Sequence, residues 1–249
     1  MPVKLIINAD DFGLSEGVCR GIIYAHKQGV VTSTSLMANI AGHNEIEMLR
    51  DTPGLGVGIH LNLTRGPSVY KGNSGTLADA DGNFIYEHRR GFDDVDEEHI
   101  RRELRAQVEW ALGTGLCNID HIDSHHHIQR HRVVFDAMKD LAVEKGLACR
   151  ASDAWMADEL RDAGVWRNDF FVASFFGLRN ITAENLVGII NGLENGVTEL
   201  MCHPGYLDGT LKLPSGYTRE RPLELRAITD ERVINTIKSK GVKLIRFGE

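Results

Sequence analysis

Short apolar segments rich in β-branched residues alternate along the chain with longer segments whose apolar residues recur at helical spacing. Most of the short segments consist mainly of apolar and β-branched residues, which predicts strands that are buried on both faces of a sheet. The predicted strands are 3–8, 31–37, 56–63, 118–123, 147–150, 197–201 and 242–247. The predicted helices are 17–28, 44–50, 97–112, 133–144, 183–193 and 231–240.

This alternation of strands and helices is typical of a parallel sheet covered by helices, and it predicts one α/β domain over residues 1–249. A distorted or incomplete TIM-like (β/α) barrel matches the order of elements best. An open, doubly wound sheet is the alternative, but no glycine-rich phosphate-binding signature follows any predicted strand. Three segments (65–96, 152–180 and 204–222) interrupt the pattern and are predicted to be long functional loops.

Composition narrows the classes of partner. The formal net charge is −7, which argues against nucleic acid or an anionic membrane, because both require clustered Lys and Arg. The four cysteines are scattered without a C-x-x-C pair, so neither a disulfide framework nor a structural zinc site is expected. No signal peptide or membrane span is evident, and a reducing cytoplasm is predicted. A homodimer is expected only because homodimers are common.

Polar residues directly follow several predicted strands, where side chains of a parallel barrel face the active site. Asp10 and Asp11 follow the first strand, and two adjacent buried carboxylates need a cation or hydrogen bonds to offset their repulsion. His60 lies inside an apolar strand, and His203 follows a later one. Taken singly, each has a structural explanation: a helix cap with a turn acid, a core histidine, and a histidine before a rigid turn.

A histidine-rich segment is the most specific signal. Five of the 11 histidines fall between His121 and His131. If the strand continues through the segment, its period of two places His121, Asp123, His125 and His127 on one face. Imidazole is a common ligand of transition metals, so the segment predicts a metal or catalytic role. His125 and His127 compete as ligands, and Asp123 is a candidate to orient a ligand histidine.

At these residues the chain resembles the YdjC-like family of carbohydrate deacetylases, which includes chito-oligosaccharide deacetylase. The similar stretches are NADDFGLSEG from residue 8, GIHLNLT around His60, HIDSHHH ending at His127 and MCHPG around His203. The resemblance implies a distorted (β/α) barrel and a metal-activated water that hydrolyses N-acetyl groups on a small sugar or oligosaccharide. The implied cation is divalent, with magnesium first and zinc, cobalt or manganese as alternatives.

The resemblance also implies roles for individual residues. The metal ligands that it implies are Asp11, His60 and His125. Asp10 matches the catalytic base, His203 the acid, and Arg150 an arginine that orients the base. Relatives often continue the triple histidine with Val-His, whereas Ile128 and Gln129 follow it here, so no role is implied for position 129.

Aromatic side chains in the three interrupting segments are candidates for contacts with a sugar, although ordinary loop packing would also explain them. They are Tyr70, Tyr86, Trp155, Trp166, Tyr206 and Tyr217. Two other functions remain open at this point. One is a metal-dependent phosphoesterase or an amidohydrolase acting on a non-sugar amide, on the same barrel. The other is a non-catalytic protein that binds metal or sugar.

Overall fold

The parallel strands of the chain form one eight-stranded sheet. The structure, a computed structural model, describes residues 2–73, 75–86, 91–92, 94–209, 211, 213 and 215–249. The strands are β1 (Val3–Phe12), β2 (Ser33–Leu36), β3 (Gly56–Leu61), β4 (Ile119–Ser124), β5 (Ala148–Cys149), β6 (Phe170–Val172), β7 (Gly196–Cys202) and β8 (Lys243–Leu244). All of their pairings are parallel.

The order of the strands makes the sheet a partial barrel. The path runs β5-β4-β3-β2-β1-β7-β6, and β8 pairs with the first residues of β1, ahead of the residues that pair with β2. In the described chain no strand pairing joins β5 to β6. Next to the two edges, Cys149 N donates a hydrogen bond to the Trp166 carbonyl at 2.9 Å. The Asn168 side chain also accepts from Ala151 N and donates to the Ala151 carbonyl, both at 2.8 Å. The predicted distorted or incomplete TIM-like barrel is confirmed.

Within the described residues, eight α-helices connect and cover these strands. They are α1 (Glu16–Gln28), α2 (His43–Arg50), α3 (Glu97–Gly113), α4 (Arg132–Lys145), α5 (Ala154–Asp162), α6 (Ala183–Asn191), α7 (Glu220–Ile228) and α8 (Glu231–Lys240). The first begins where the sequence predicts because the Ser15 side chain accepts a hydrogen bond from Val18 N and caps the helix. None of the helices in the described ranges combines the length and the apolar character that crossing a bilayer requires.

The strands are buried because helices cover the outer face of the sheet, and side chains such as Ile6, Ala148 and Ile245 fill the inside of the partial barrel. Every residue of β2 and β3 is buried, which explains why these segments read as continuous apolar or small-residue runs. Two large apolar clusters fill the protein. One surrounds the β1 side, with residues such as Leu5 and Ile22, and the other lies around β3, β4 and α3, with Ile59 and Ile122.

Two of the segments predicted to be loops contain regular structure, so that prediction was wrong for them. The segment 152–180 contains α5 and β6, and the segment 204–222 runs into α7. The segment 65–96 is largely irregular, with isolated bridges at Pro67–Asn83 and Ala78–Phe84. Residues 74, 87–90 and 93 of that segment lie outside the described residues.

Candidate metal and catalytic site

Three of the predicted site residues meet at the carboxyl edge of the sheet, where active sites of parallel barrels form. Asp11 lies at the end of β1, His60 near the end of β3, and His125 directly after β4. Oδ1 of Asp11 lies 3.0 Å from Nδ1 of His125 and 3.4 Å from Nε2 of His60. The two imidazole rings meet edge to face with their centroids 5.4 Å apart.

An irregular end to β1 brings both adjacent aspartates to the site. Asp10 and Asp11 would point to opposite faces of a regular strand, but the pairing of β1 with β2 shifts between Ala9 and Phe12. Asp11 also has a left-handed backbone, with φ of 73°, which aspartate adopts more readily than most residues. Both carboxylates are buried, at 2% and 3% exposure.

A break after β4 separates the three consecutive histidines. The strand ends at Ser124, and a 3-10 segment (His125–Arg130) follows in which His126 and His127 have positive φ angles of 56° and 53°. Because the strand ends at Ser124, the prediction that His125 and His127 share a strand face with His121 and Asp123 was wrong. Two consecutive non-glycine residues with positive φ are uncommon, and the histidine run did not predict this turn.

The three histidine side chains reach different surroundings. His125 lies beside Asp11, as described above. His126 places Nδ1 2.9 Å from the hydroxyl of Thr64. His127 packs edge to face on Phe171, at 5.7 Å between centroids, and burial together with the nearby Arg150 charge lowers its pKa to about 4. The geometry therefore groups His125, not His127, with Asp11 and His60.

Asp123 orients His60 rather than His125. Its Oδ1 lies 2.8 Å from Nδ1 of His60, which leaves Nε2 directed at Asp11. Histidines that bind metals are commonly oriented through their other ring nitrogen in this way. Burial alone would lower the pKa of His60, but the charge of Asp123, its hydrogen bond with His60 and the nearby Asp11 raise it to about 10.

These electrostatics match a cation at the three-residue group. The carboxylates that stabilise a proton on His60 also stabilise a metal ion that takes its place. Burial lowers the pKa of His125, so this imidazole is neutral and able to act as a ligand. Oδ1 of Asp11 is buried, and within the described residues it receives no well-aligned hydrogen bond. A buried, unsatisfied carboxylate oxygen facing two imidazole nitrogens suits a divalent cation.

A second group of potential ligands shares His60 but suits a cation less well. It consists of Asp10, His60 and Asp123. Both carboxylates of this group are already ion-paired with Arg150, at 2.7 Å and 2.9 Å. A metal ion at that place would compete with the buried guanidinium, so the group of Asp11, His60 and His125 is the better candidate.

Arg150 fixes Asp10 through a bidentate ion pair. Its two terminal nitrogens donate to the two oxygens of Asp10 at 2.9 Å and 2.7 Å. The same side chain, which is fully buried, also donates from Nε to Glu199 at 2.7 Å. Burial alone would raise the pKa of Asp10, but the guanidinium outweighs it and the pKa is lowered. Asp10 is therefore ionised at neutral pH, and Asn8 donates a further hydrogen bond to it at 2.8 Å.

His203 faces a carboxylate from α7. Its Nδ1 lies 3.8 Å from Oε1 of Glu224, and its backbone N–H donates to the same side chain. Burial alone would lower the pKa of His203, but the hydrogen bonding and charge of Glu224 raise it. The hydroxyl of Tyr217 also donates to Glu224, which is completely buried. The side chain of Glu224 thus favours the protonated form of the imidazole.

Three charged residues of the site were not predicted from the sequence. Arg221 donates to Oδ2 of Asp11 at 2.6 Å, and its guanidinium lowers the Asp11 pKa against the effect of burial. The other two are Glu199 and Glu224. Arg221 and Glu224 are three positions apart, so they share one face of α7. That spacing was the available signal, and it was hidden by the assignment of 204–222 to a loop.

Most of the aromatic candidates pack against other parts of the protein. Tyr86 is buried, stacks on Phe92 and donates a hydrogen bond to Asp94 at 2.9 Å. The remaining ring neighbours are Phe247 for Trp166, Phe135 for Trp155 and Tyr24 for Tyr206. Tyr217 alone has a described ring contact with the site, at 5.3 Å from His203. For Tyr70, the described contacts are backbone hydrogen bonds to Glu103 and Ser68.

The sequence and the structure are similar to those of known proteins over their full length. A protein named carbohydrate deacetylase from Thermoanaerobacter pseudethanolicus is 36% identical over 98% of this chain and 97% of its own. A crystal structure from Enterococcus faecalis, described as a candidate cellobiose-phosphate cleavage protein, is 30% identical with a TM-score of 0.89 over 99% and 98% of the two chains.

A more distant structure shares the fold alone. It is a family 4 carbohydrate esterase from Streptomyces lividans, 13% identical with a TM-score of 0.56 over 98% of this chain and 92% of that one. The sequence profile of the family described as YdjC-like protein matches residues 4–239. This match, together with full-length relatives above 30% identity, shows that the chain belongs to the YdjC-like family.

Proposed function

We propose that this chain is a metal-dependent hydrolase that removes acetyl groups from N-acetylated sugars or oligosaccharides. The general class rests on the family, whose curated relatives over the full chain are named carbohydrate deacetylases. The observation that carries the metal-dependent reaction is the grouping of Asp11, His60 and His125. Beside this group lie Asp10, whose pKa is lowered, and His203, whose pKa is raised by Glu224. Together these groups supply a cation site, a base and an acid.

The proposed ligands are Asp11, His60 and His125. A divalent cation held there supplies Lewis-acid chemistry, because it polarises a carbonyl oxygen and makes a water molecule more acidic. The hydrogen bond from His60 to Asp123 and the ion pair of Arg221 with Asp11 hold two of these side chains in place. Magnesium is the proposed ion by family resemblance; zinc, cobalt and manganese are the alternatives.

Asp10 acts as the general base in this proposal. Its carboxylate is ionised and held by Arg150, with one oxygen bonded to Asn8 as well. The other oxygen, Oδ2, accepts one hydrogen bond, from Arg150, so it has a lone pair available to receive a proton from the attacking water. Arg150 therefore acts through Asp10, as a residue that positions the base.

His203 acts as the general acid. Its Nδ1 is the ring nitrogen that faces Glu224, so Nε2 is the one that can donate a proton to the departing amine. Expulsion of the sugar nitrogen from the acetyl carbon as a bare amide anion would be prohibitively unfavourable, and protonation of that nitrogen as its bond to the acetyl carbon breaks removes that barrier. The raised pKa of His203 keeps this proton available near neutral pH.

Phosphate ester hydrolysis and a non-catalytic binding role are less well supported. The two arginines that contact the site aspartates, Arg150 and Arg221, have their charges compensated by Asp10 and Asp11. This pairing favours an uncharged acyl substrate over a phosphate, which draws uncompensated guanidinium groups. A protein that only binds metal or sugar would not need a base and an acid beside a cation site.

The direct test is acetate release from N-acetylglucosamine oligomers by metal-stripped protein and by samples reloaded with Mg²⁺, Zn²⁺, Co²⁺ or Mn²⁺. We expect no acetate without metal and restored release with at least one cation, because the base alone cannot polarise the acetamide. Tight binding of the cation without acetate release from any oligomer would contradict the proposed reaction. Phosphate release from phosphorylated sugars, measured on the same samples, would then identify the phosphoesterase alternative.

A second prediction concerns the pH dependence of kcat. An acid must be protonated, so the rate falls as the pH rises through the pKa of His203. Because Glu224 raises that pKa, the substitution Glu224→Gln should move the alkaline limb of the pH profile to lower pH. The matched change Glu231→Gln, on an exposed carboxylate of α8, should leave the limb where it is. An unmoved limb in Glu224→Gln would show that His203 is not the titrating acid.

Three further expectations remain proposals. We propose that residues 1–249 form one deacetylase domain, which agrees with the length of the curated relatives. We also propose a cytoplasmic homodimer whose substrate is a small acetylated sugar. Sedimentation of the purified protein would measure its oligomeric state directly.

A further inference from the structure

An exposed aromatic ring lies next to His203, the proposed general acid. Phe176, in the segment between β6 and α6, keeps 47% of its surface exposed. Its ring lies parallel to that of Tyr217, at 4.3 Å between centroids and an angle of 13°. Its edge-to-face distance from the imidazole of His203 is 5.5 Å. The rings of Phe176, Tyr217 and His203 thus form one continuous group.

The backbone around Phe176 is anchored on several sides. The preceding residue, Phe175, is fully buried in the apolar core. The side chain of Asn180 donates to the carbonyl of Phe176 at 2.9 Å, and Gly177 N donates to the hydroxyl of Tyr217 at 3.2 Å. The exposed ring is therefore held in its orientation before any ligand arrives, which lowers the entropic cost of binding.

A single exposed apolar side chain is ordinary on a protein surface and needs no function. Leu178, two residues later in the same segment, is 58% exposed and illustrates that ordinary case. Phe176 differs because its ring is stacked on Tyr217 and adjoins the residue proposed to protonate the leaving amine. A group bound against this ring would thus be part of the substrate, close to the scissile bond.

We infer that Phe176 is a specificity-determining residue that stacks on the pyranose ring bearing the acetamido group. This inference rests on the proposed function. The C–H face of a pyranose is apolar, and aromatic rings bury such surface without requiring hydrogen bonds. The leaving nitrogen is bonded directly to this pyranose, so a sugar whose nitrogen reaches His203 has its ring within reach of Phe176.

The test measures binding of the deacetylated product, so it does not depend on turnover. With metal-loaded protein and a β-1,4-linked glucosamine disaccharide, the substitution Phe176→Ala should raise Kd roughly threefold to tenfold, the usual range for one aromatic contact. Phe176→Trp should restore the affinity, and Leu178→Ala should leave it unchanged. With the N-acetylated disaccharide, the same fold-change should appear in KM rather than in kcat.

Several outcomes would overturn the inference. An unchanged Kd for the product in Phe176→Ala, with only KM for the acetylated sugar affected, would place the acetyl methyl group on the ring instead. An equal loss in Leu178→Ala would indicate a disturbed segment rather than a stacking contact. Phe176-dependent binding of the sugar without any acetate release would support this inference and contradict the proposed reaction. Absence of both binding and release in the wild type would overturn both.

Discussion

The substitution Asp10→Asn should lower kcat for acetate release by about 10²–10⁴-fold, which is the usual contribution of one general base. Asparagine has nearly the same shape and keeps one oxygen for Arg150, but it cannot take a proton from water at neutral pH. The proposed metal ligands do not include Asp10, so the bound metal per chain should stay unchanged. Steady-state kinetics together with elemental analysis of the purified variant would measure both quantities.

A matched variant separates loss of the base from disturbance of Arg150. Glu199 binds the same guanidinium at 2.7 Å, and burial, which outweighs the effect of Arg150, raises its pKa to about 7. Because Glu199 is already partly protonated at neutral pH, Glu199→Gln should cost far less activity than Asp10→Asn. Equal losses would assign the effect to Arg150. Loss of metal in Asp10→Asn would instead show that Asp10 is a ligand and that the roles of Asp10 and Asp11 are exchanged.

Arg150 explains how several carboxylates can be buried side by side under the site. Asp10, Asp123 and Glu199 all lie within 2.9 Å of its guanidinium. Removing a charge from such a buried group leaves the others uncompensated, which is costly. A proton on His60 and a cation at the proposed site would therefore be alternative ways to balance the negative charge that Arg150 and Arg221 leave at the sheet edge.

The barrel was predictable from the sequence because its strands are buried on both faces. Mainly apolar runs such as residues 3–8 and 197–201, each with one charged residue, pack best inside a covered parallel sheet. The location of the site at the carboxyl edge of the sheet was predictable for a related reason. Polar residues directly after such runs, including Asp11 and His203, lie at the carboxyl ends of strands and must converge.

The missed element, α7, shows where this reasoning ends. A helix is recognised when its apolar face points to the core, but α7 directs the charged Arg221 and Glu224 inward to the site. Pro222 in its first turn and the preceding glycines also favoured a loop, although proline is tolerated there. The charged residues that α7 places in the site are therefore also the reason that the sequence pattern did not predict this helix.

The consecutive histidines show a second limit. Strand alternation groups His125 with His127, and no local rule distinguishes a strand that continues from one that ends at Ser124. The left-handed angles of His126 and His127 depend on tertiary contacts, such as the one between His126 and Thr64. Sequence periodicity could therefore name the two candidate ligands but could not choose between them.

Replacing His125 should remove the metal, whereas replacing His127 should not. The proposed site has three protein ligands, and changes to residues that merely orient ligands already cost about 10–100-fold in metal affinity. The substitution His125→Ala should therefore weaken metal binding by more than roughly 100-fold and abolish acetate release at micromolar metal. Calorimetric titration of the metal-stripped protein would give the affinity independently of activity.

The variant His127→Ala is the informative comparison, because both histidines belong to the same turn and both are largely buried. His127 lies against Phe171 and outside the group of Asp11, His60 and His125, so its loss should cost packing and stability but leave one metal ion per chain. The exposed His43→Ala serves as the control for titration itself. Loss of the metal in His127→Ala alone would overturn the assignment of His125, and loss in both would mean that the turn, rather than one imidazole, holds the site together.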